Sequence, residues 1–402
     1  MLQGKTVLLC VTGSIAAYKI AYLASALKKL RCNVHVLMTQ NATNFINPIT
    51  FESLTGNKCL VDTFDRNFQF QVEHVALAKQ ADLCVVAPAS ANVIAKLSHG
   101  LADDMLTTTV LACRCKKIVS PAMNTGMYEN PITQHNLAVL RRYGFLLVEP
   151  AVGYLACGDT GAGKMPEPEV LLDYILQELA YEKDMAGLRV LVTAGATQES
   201  IDPVRYITNH STGKMGYAVA QDAARRGAEV TLVSAPSHLP PLRFVKNIPV
   251  VSAQEMFDTV TALAGGQDVI VKAAAVADYR PAQVLEEKMK KSEFSGSLSL
   301  SLTRTQDILQ YLGEHRRPGQ FLCGFSMETE NVLENSRRKL RKKHLDLIAA
   351  NSLRIEGAGF GTDTNVLTLI SAHGERELPK MSKQEAAHTL LTEIMQMRQS
   401  ET

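Results

Sequence analysis

Short apolar runs rich in Val, Leu and Ile alternate with longer stretches of helical spacing along both halves of the chain. In the first half the runs fall at about 5–11, 33–39, 82–88, 117–121 and 145–149, and helical patterns such as Ala16 to Leu30 and Pro131 to Tyr143 lie between them. A strand that is apolar throughout buries both faces, so this pattern predicts a parallel sheet covered by helices on each side. The expected domain is a doubly wound α/β sheet of flavodoxin-like type, with its ligand outside the carboxyl ends of the strands. "VTGS", "MTQN", "APAS" and "SPAMN" all fall at such ends. Their position favours a cofactor site, although any one of these turns would serve as a helix cap.

The second half repeats the grammar. Runs at about 189–194, 229–234, 268–276, 321–326 and 345–350 predict a Rossmann-like sheet, a further strand is expected over 365–370, and 383–397 reads as a closing helix. "KTVLLCVTGSIAAYK" and "LRVLVTAGATQES" open the two halves alike, each a strand running into a glycine turn. The charged connector within "LQELAYEKDMAG" places the boundary near Glu182 to Gly187, giving domains over 1–183 and 187–402. "EEKMKKSEFSGSLSLSL" joins a basic cluster to a Ser/Leu alternation, which predicts a strand with one apolar face beside a basic flap.

Composition narrows the class. A chain of 402 residues exceeds what one core usually supports, in keeping with two domains. The formal net charge of +2 argues against nucleic acid or a membrane surface as partner. Eight scattered cysteines, with only Cys113 and Cys115 close together and no His beside them, fit a reduced cytoplasmic protein rather than a disulfide scaffold or a zinc site. The start of the chain reads as a first strand, without a signal peptide or membrane span.

"ACGDTGAGKM" imitates a phosphate-binding P-loop, but Met165 stands where Ser or Thr would hold Mg²⁺, and Pro166 and Pro168 interrupt the expected helix. It reads instead as a glycine-rich surface loop carrying one thiol, Cys157. Gly13 and Ser14 end the first strand, and Ser14 can cap a helix whose free N–H groups suit a phosphate. No G-x-G-x-x-G follows that strand, and the second ends in Thr39 and Gln40 rather than an acid, so a flavin mononucleotide fits better than a dinucleotide. His74 and Asn124 have structural readings beside functional ones: a partly buried helical histidine, and a turn asparagine bonding its own backbone. In the second half, Ser211 to Lys214 open a helix suited to phosphate. Lys288, Lys290 and Lys291 are either a solvated run or a clamp for a triphosphate, and Lys339 and Lys343 share one helix face that would add to it.

In order along the chain, "GSIAAYK", "PASANVIAKLSHGLADDMLTT", "PAMNTGMYENP", "ACGDTGAGKM", "DPVRYITNHSTGKMG", "AAAVADYRP" and "EKMKK" closely resemble the bacterial bifunctional coenzyme A biosynthesis family. That resemblance implies an N-terminal FMN-dependent phosphopantothenoylcysteine decarboxylase and a C-terminal CTP-dependent phosphopantothenate–cysteine ligase. It places the decarboxylase's active-site His on His74, its substrate-carboxylate Asn on Asn124 and its hydrogen-donating Cys on Cys157, within a substrate-recognition flap. FMN contacts are implied at Gly13, Ser14, Thr39, Ser90, Asn92 and Ala122. For the ligase it implies Asn209 handling an acyl-cytidylate, Lys288 needed to form it, and nucleotide positions at Asp278, Gln306, Asp307, Ile308, Leu309, Phe325, Lys339 and Lys343. Mg²⁺ is expected with CTP, without assigned protein ligands. "TQES" and Gln306 depart from the family's usual Thr-Arg-Glu-Pro and Pro. A homo-oligomer is implied as well, a dodecamer built of trimers and dimers. Outside the resemblance, a pyridine-nucleotide oxidoreductase and a regulatory flavin-binding subunit remain the alternatives.

Overall fold

The structure is a computed structural model that describes residues 1–64, 73–156, 158–289, 299–328, 331–352 and 361–400. The chain divides into two compact units, Met1–Tyr181 and Glu182–Thr402.

In the first unit, β1 (Thr6–Val11), β2 (Asn33–Met38), β3 (Leu83–Ala89), β4 (Lys116–Pro121) and β5 (Leu146–Leu147) form one parallel sheet in the order 2-1-3-4-5. Every residue of β1 and β3 is buried, as continuous apolar runs require. Helices Tyr18–Lys29 and Pro168–Leu179 pack Ile20, Leu23, Leu171 and Ile175 on one face, while Ala91–His99, Met105–Ala112 and Pro131–Arg142 pack Ile94, Leu106 and Leu140 on the other. The order reverses between β1 and β3, and the turns after these two strands diverge to open a crevice there.

The segment expected as a glycine-rich loop is an antiparallel hairpin, β6 (Ala151–Tyr154) and β7 (Thr160–Lys164). It docks through Gly163, whose φ of 129° suits glycine and whose added Cβ would lie 2.3 Å from the Met123 carbonyl oxygen. The Met123 N–H donates to Gly163 O at 3.0 Å. Glycines here allow close docking of two backbones, a constraint that resembles a loop when only composition is read.

In the second unit, Arg189–Ala194, Glu229–Ser234, Lys246–Pro249, Val269–Lys272, Phe321–Glu328 and Leu347–Ser352 run parallel. Ranked along the chain, they lie in the order 3-2-1-4-5-6, and Leu367–Ser371 and Gly374–Glu377 extend one edge antiparallel. The fourth strand stops at Lys272, earlier than the apolar run suggests. Beyond it the Ala274 N–H turns to Thr193 Oγ1 and the Ala275 N–H to Gly195 O, so these alanines line the sheet's carboxyl edge.

The Ser/Leu alternation also differs from expectation. Residues 290–298, including Lys290 and Lys291, lie outside the described residues, and among the described residues of this stretch the strand is Leu302–Arg304, paired antiparallel with Tyr279–Pro281. Leu300 and Leu302 are 40% and 49% exposed, and among the described residues no layer covers this two-stranded ribbon.

Helix Lys214–Arg225 seats Gly216 directly on Arg189–Ala194; a Cβ there would lie 2.7 Å from both Ala194 Cβ and Thr193 O. Gly216→Ala is expected to destabilise this unit by about 1–3 kcal/mol through overpacking. A lower thermal midpoint and faster amide exchange along Arg189–Ala194 would register the change; an unaltered midpoint would show that the helix can retreat freely.

Candidate functional site

Each unit presents a cavity at the carboxyl edge of its parallel sheet. In the first, about 530 Å³ opens over β1, β3 and β4. Ser14 caps the turn after β1, its Oγ accepting from Ala16 N at 3.3 Å, and Ser90 caps Ala91–His99, its Oγ accepting from Val93 N at 3.4 Å. Thr12 ties the two starts together, donating to Pro88 O at 2.6 Å and accepting from Ser90 N at 2.9 Å. Gly13, Ser14, Ser90 and Ala122 all line the cavity, so two chain starts rich in N–H groups converge on one space.

Asn124 lines the same space. Its Oδ1 accepts from Gly126 N at 2.8 Å, which fixes the amide so that Nδ2 donates outward, to Asp159 Oδ2 at 3.1 Å. The hairpin reaches the cavity through Tyr154, Leu155 and Ala156, and Cys157 itself lies outside the described residues. His74 is half-buried in Glu73–Gln80 and is not among the residues lining this cavity. Neither is Thr39, a buried cap whose Oγ1 accepts from Ala42 N at 3.3 Å, nor Asn92, which is exposed in the helix after Ser90. Lys19 is a lining residue that sequence reading passed over. Its side chain is 7% exposed, and Nζ donates to Met165 O at 3.2 Å and Glu167 Oε1 at 2.8 Å, fastening the end of the hairpin. The signal was the lysine inside the otherwise apolar start of a helix.

The second unit holds a cavity of about 380 Å³ between the Asn209–Lys214 segment and the ends of Val269–Lys272 and Phe321–Glu328. Asn209 and Phe325 line it, and the Asn209 amide donates to Ala275 O at 3.3 Å. Asp307 caps helix Ile308–His315 and pairs with Lys343 at 2.7 Å. Burial acts to raise the Asp307 carboxyl, but the Lys343 ammonium and the Gln310 N–H outweigh it and hold the group below the usual carboxylate range. Lys339 approaches Ser326 Oγ at 3.4 Å. Ile308 and Leu309 are buried core residues of that helix, and Gln306 accepts from the Gln254 amide at 3.1 Å. Asp278 is exposed. Lys272, at the end of an apolar strand, is a cavity-lining residue that reading the run as strand alone concealed.

Lys288 is exposed, and the residue after it is held firmly. The buried Asp202 carboxylate accepts from Val204 N and Arg205 N, both at 2.8 Å, from Arg205 Nη1 at 2.6 Å and from Met289 N at 3.3 Å. Leu285 N donates to Ile201 O at 3.0 Å. The chain bearing Lys288 is thereby anchored on both sides of that lysine. Among the described residues no group of three or more His, Cys, Asp and Glu is placed to hold a metal, and no helix is long and apolar enough to cross a membrane.

Residues 1–180 match the family model described as Flavoprotein, and residues 185–397 the model described as DNA/pantothenate metabolism flavoprotein C-terminal domain. The coenzyme A biosynthesis bifunctional protein CoaBC of Bacillus subtilis (strain 168) is 45% identical over 398 residues, 98% of this chain and 97% of that one. Its counterpart of the same name in Escherichia coli (strain K12) is 41% identical over 395 residues, again 98% and 97%. The solved C-terminal domain of a CoaBC protein is 42% identical, covers 55% of this chain and all of its own, and superposes with a TM-score of 0.47.

Burial tends to raise the Asp202 carboxyl, yet its three backbone N–H donors and Arg205 hold it below the usual carboxylate range. A depressed folded pKa contributes stability above the unfolded value of about 4, and that contribution is lost as pH falls through the folded pKa. Asp202→Asn should therefore flatten the acid limb of a stability profile below about pH 4 and, at neutral pH, speed proteolysis near Leu285–Met289. An unchanged acid limb with unchanged cleavage would show that the anchor does not hold this segment.

Proposed function

The chain belongs to the CoaBC family of coenzyme A biosynthesis bifunctional proteins and carries its synthetase and decarboxylase activities; from that premise we propose how the two units divide and perform the work. The flavoprotein half, 1–183, decarboxylates phosphopantothenoylcysteine with FMN, and the half over 187–402 ligates phosphopantothenate to cysteine with CTP. The observation that carries this division is the presence, at the carboxyl edge of each sheet, of a separate cavity with its own polar set.

The first cavity fits a flat phosphorylated heterocycle: the chain starts at Ser14 and Ser90 offer N–H groups to a phosphate, and Ile15, Met123 and Met127 give an apolar wall. Thr39 and Asn92 would complete the cofactor's surroundings from outside the lining. FMN, when bound, supplies a reversible two-electron oxidation of the substrate's cysteinyl carbon–sulfur unit. Asn124 positions the substrate carboxylate; its Nδ2 already donates to a carboxylate, that of Asp159, and a substrate would take that acceptor's place. Once the carbon bearing sulfur is oxidised, the C–C bond to the carboxylate breaks, CO₂ leaves, and the electron pair is delocalised as an enethiolate. Cys157 gives hydrogen to the product as two electrons return to the substrate. His74 acts at this site from a neighbouring copy, which makes the protein a homo-oligomer.

In the second unit, a phosphopantothenate carboxylate oxygen attacks the α-phosphorus of CTP, forming an acyl-cytidylate and breaking the bond to pyrophosphate. Lys288, Lys339 and Lys343 oppose the negative charge that develops there. Asn209 holds the acyl-cytidylate while the cysteine amine forms the amide bond and CMP leaves. Asp278, Gln306, Phe325 and the start of the Ile308–His315 helix, including Ile308 and Leu309, shape the nucleotide site. Mg²⁺ accompanies the triphosphate.

Purified protein mixed with phosphopantothenate, cysteine, CTP and Mg²⁺ should yield phosphopantetheine and CMP by mass spectrometry. Cys157→Ser should cut release of reduced product by roughly 10²-fold or more while CMP formation continues, and Asn209→Asp should do the reverse. Loss of both activities in either folded variant would sink the division of labour. Light scattering is expected to show an oligomer; a stable, active monomer would remove the proposed role of His74 across copies.

A further inference from the structure

The hairpin at the first cavity is fastened unequally along its length. Before it, Glu149 accepts from the Tyr128 hydroxyl at 2.9 Å and pairs with Arg141; after it, Glu167 pairs with Lys19 at 2.8 Å. Between these roots, Gly163 is docked on the Met123 backbone. The turn closes on itself, Leu155 N donating to Asp159 O at 2.8 Å and Gly158 N to Leu155 O at 3.0 Å. From that turn the Asp159 carboxylate reaches across to Asn124 Nδ2 at 3.1 Å.

These fastenings differ in what breaking them leaves behind. Parting Lys19 from Glu167 would strand a nearly buried ammonium, and undoing the Gly163 docking would leave backbone groups unpaired. Asp159 is exposed and Asn124 is neutral, so parting these two leaves a hydrated carboxylate and an amide that needs only another acceptor. The Asn124 amide is already turned for one, because Gly126 N holds its Oδ1 at 2.8 Å. Nδ2 carries two hydrogens, yet two carboxylates bonded to one nitrogen would lie within about 6 Å of each other, where like charges repel. A ligand carboxylate at Asn124 and the Asp159 carboxylate therefore compete.

Resting on the reading of this unit as the decarboxylase, we propose that Asp159 is a specificity-determining residue: it occupies Asn124 in the substrate's absence and yields only to a ligand that brings a carboxylate of its own. The device distinguishes substrate from product. Before the reaction the substrate's carboxylate displaces Asp159 and releases the turn; once CO₂ has left, the product has no carboxylate with which to hold Asn124, and Asp159 returns to it. Ligands sharing the phosphopantothenoyl arm are thus sorted by the one group that the reaction removes. In exchange, the substrate binds less tightly than it would to an unoccupied amide.

Two ligands that differ only in that group test the competition: phosphopantothenoylserine, whose hydroxyl replaces the thiol that the flavin oxidises, and its decarboxylated counterpart, phosphopantothenoylethanolamine. Binding to the FMN-loaded full chain is followed through the flavin's visible absorbance, which reports this unit and not the ligase. Asp159→Ala should tighten the serine ligand about fivefold, the worth of one released hydrogen bond, and leave the ethanolamine ligand unchanged. Asp159→Asn, which keeps an acceptor but not the charge, should fall between wild type and Asp159→Ala for the serine ligand. Equal tightening of both ligands would mark a general repulsion of their shared phosphate and overturn the proposal. Weaker binding of the serine ligand to both variants would overturn it too, making Asp159 a support for Asn124 rather than its competitor, as would no change at all. If neither ligand perturbs the wild-type flavin spectrum, the decarboxylase reading of this cavity fails, and this inference with it.

Discussion

Parallel pairing is the constraint on which the rest depends. When every strand of a sheet points the same way, every carboxyl end and every following helix start lies on one edge, and where the strand order reverses the connections part and leave a crevice. The parallel strands of both units obey this rule with different orders, 2-1-3-4-5 in one and 3-2-1-4-5-6 in the other, where two antiparallel strands extend one edge. The site positions are therefore inherited from the topology, before any catalytic side chain is chosen. What the sequence adds is small residues at those ends: Gly13 and Ser14 after β1, Ser90 after β3, and Ser211 to Gly213 before the Lys214–Arg225 helix.

The apolar pattern made this architecture legible because buried parallel strands are apolar on both faces. It was less informative where burial ceases. The run after Val269 continues in alanine and valine to residue 277, yet only four residues stay in the sheet, since alanine satisfies a cavity wall as readily as a strand. The hairpin around Gly163 looked like a loop because its glycines serve backbone docking against Met123, a tertiary demand without periodicity. Ser/Leu alternation near Leu302 promised a buried face, but alternation expresses only what a strand could bury, and Leu300 and Leu302 stay exposed.

The same distinction governs the sites. Ser14, Asn124 and Asn209, which line the two cavities, stand out in the sequence because motif and topology coincide there. Lys272 was hidden because its environment is set by four charged residues from distant segments, Asp278, Asp307, Lys339 and Lys343. No local pattern reports a through-space field. Asp202 was hidden for a related reason: it reads as a turn former before Pro203, whereas its carboxylate reaches Met289, 87 residues further on.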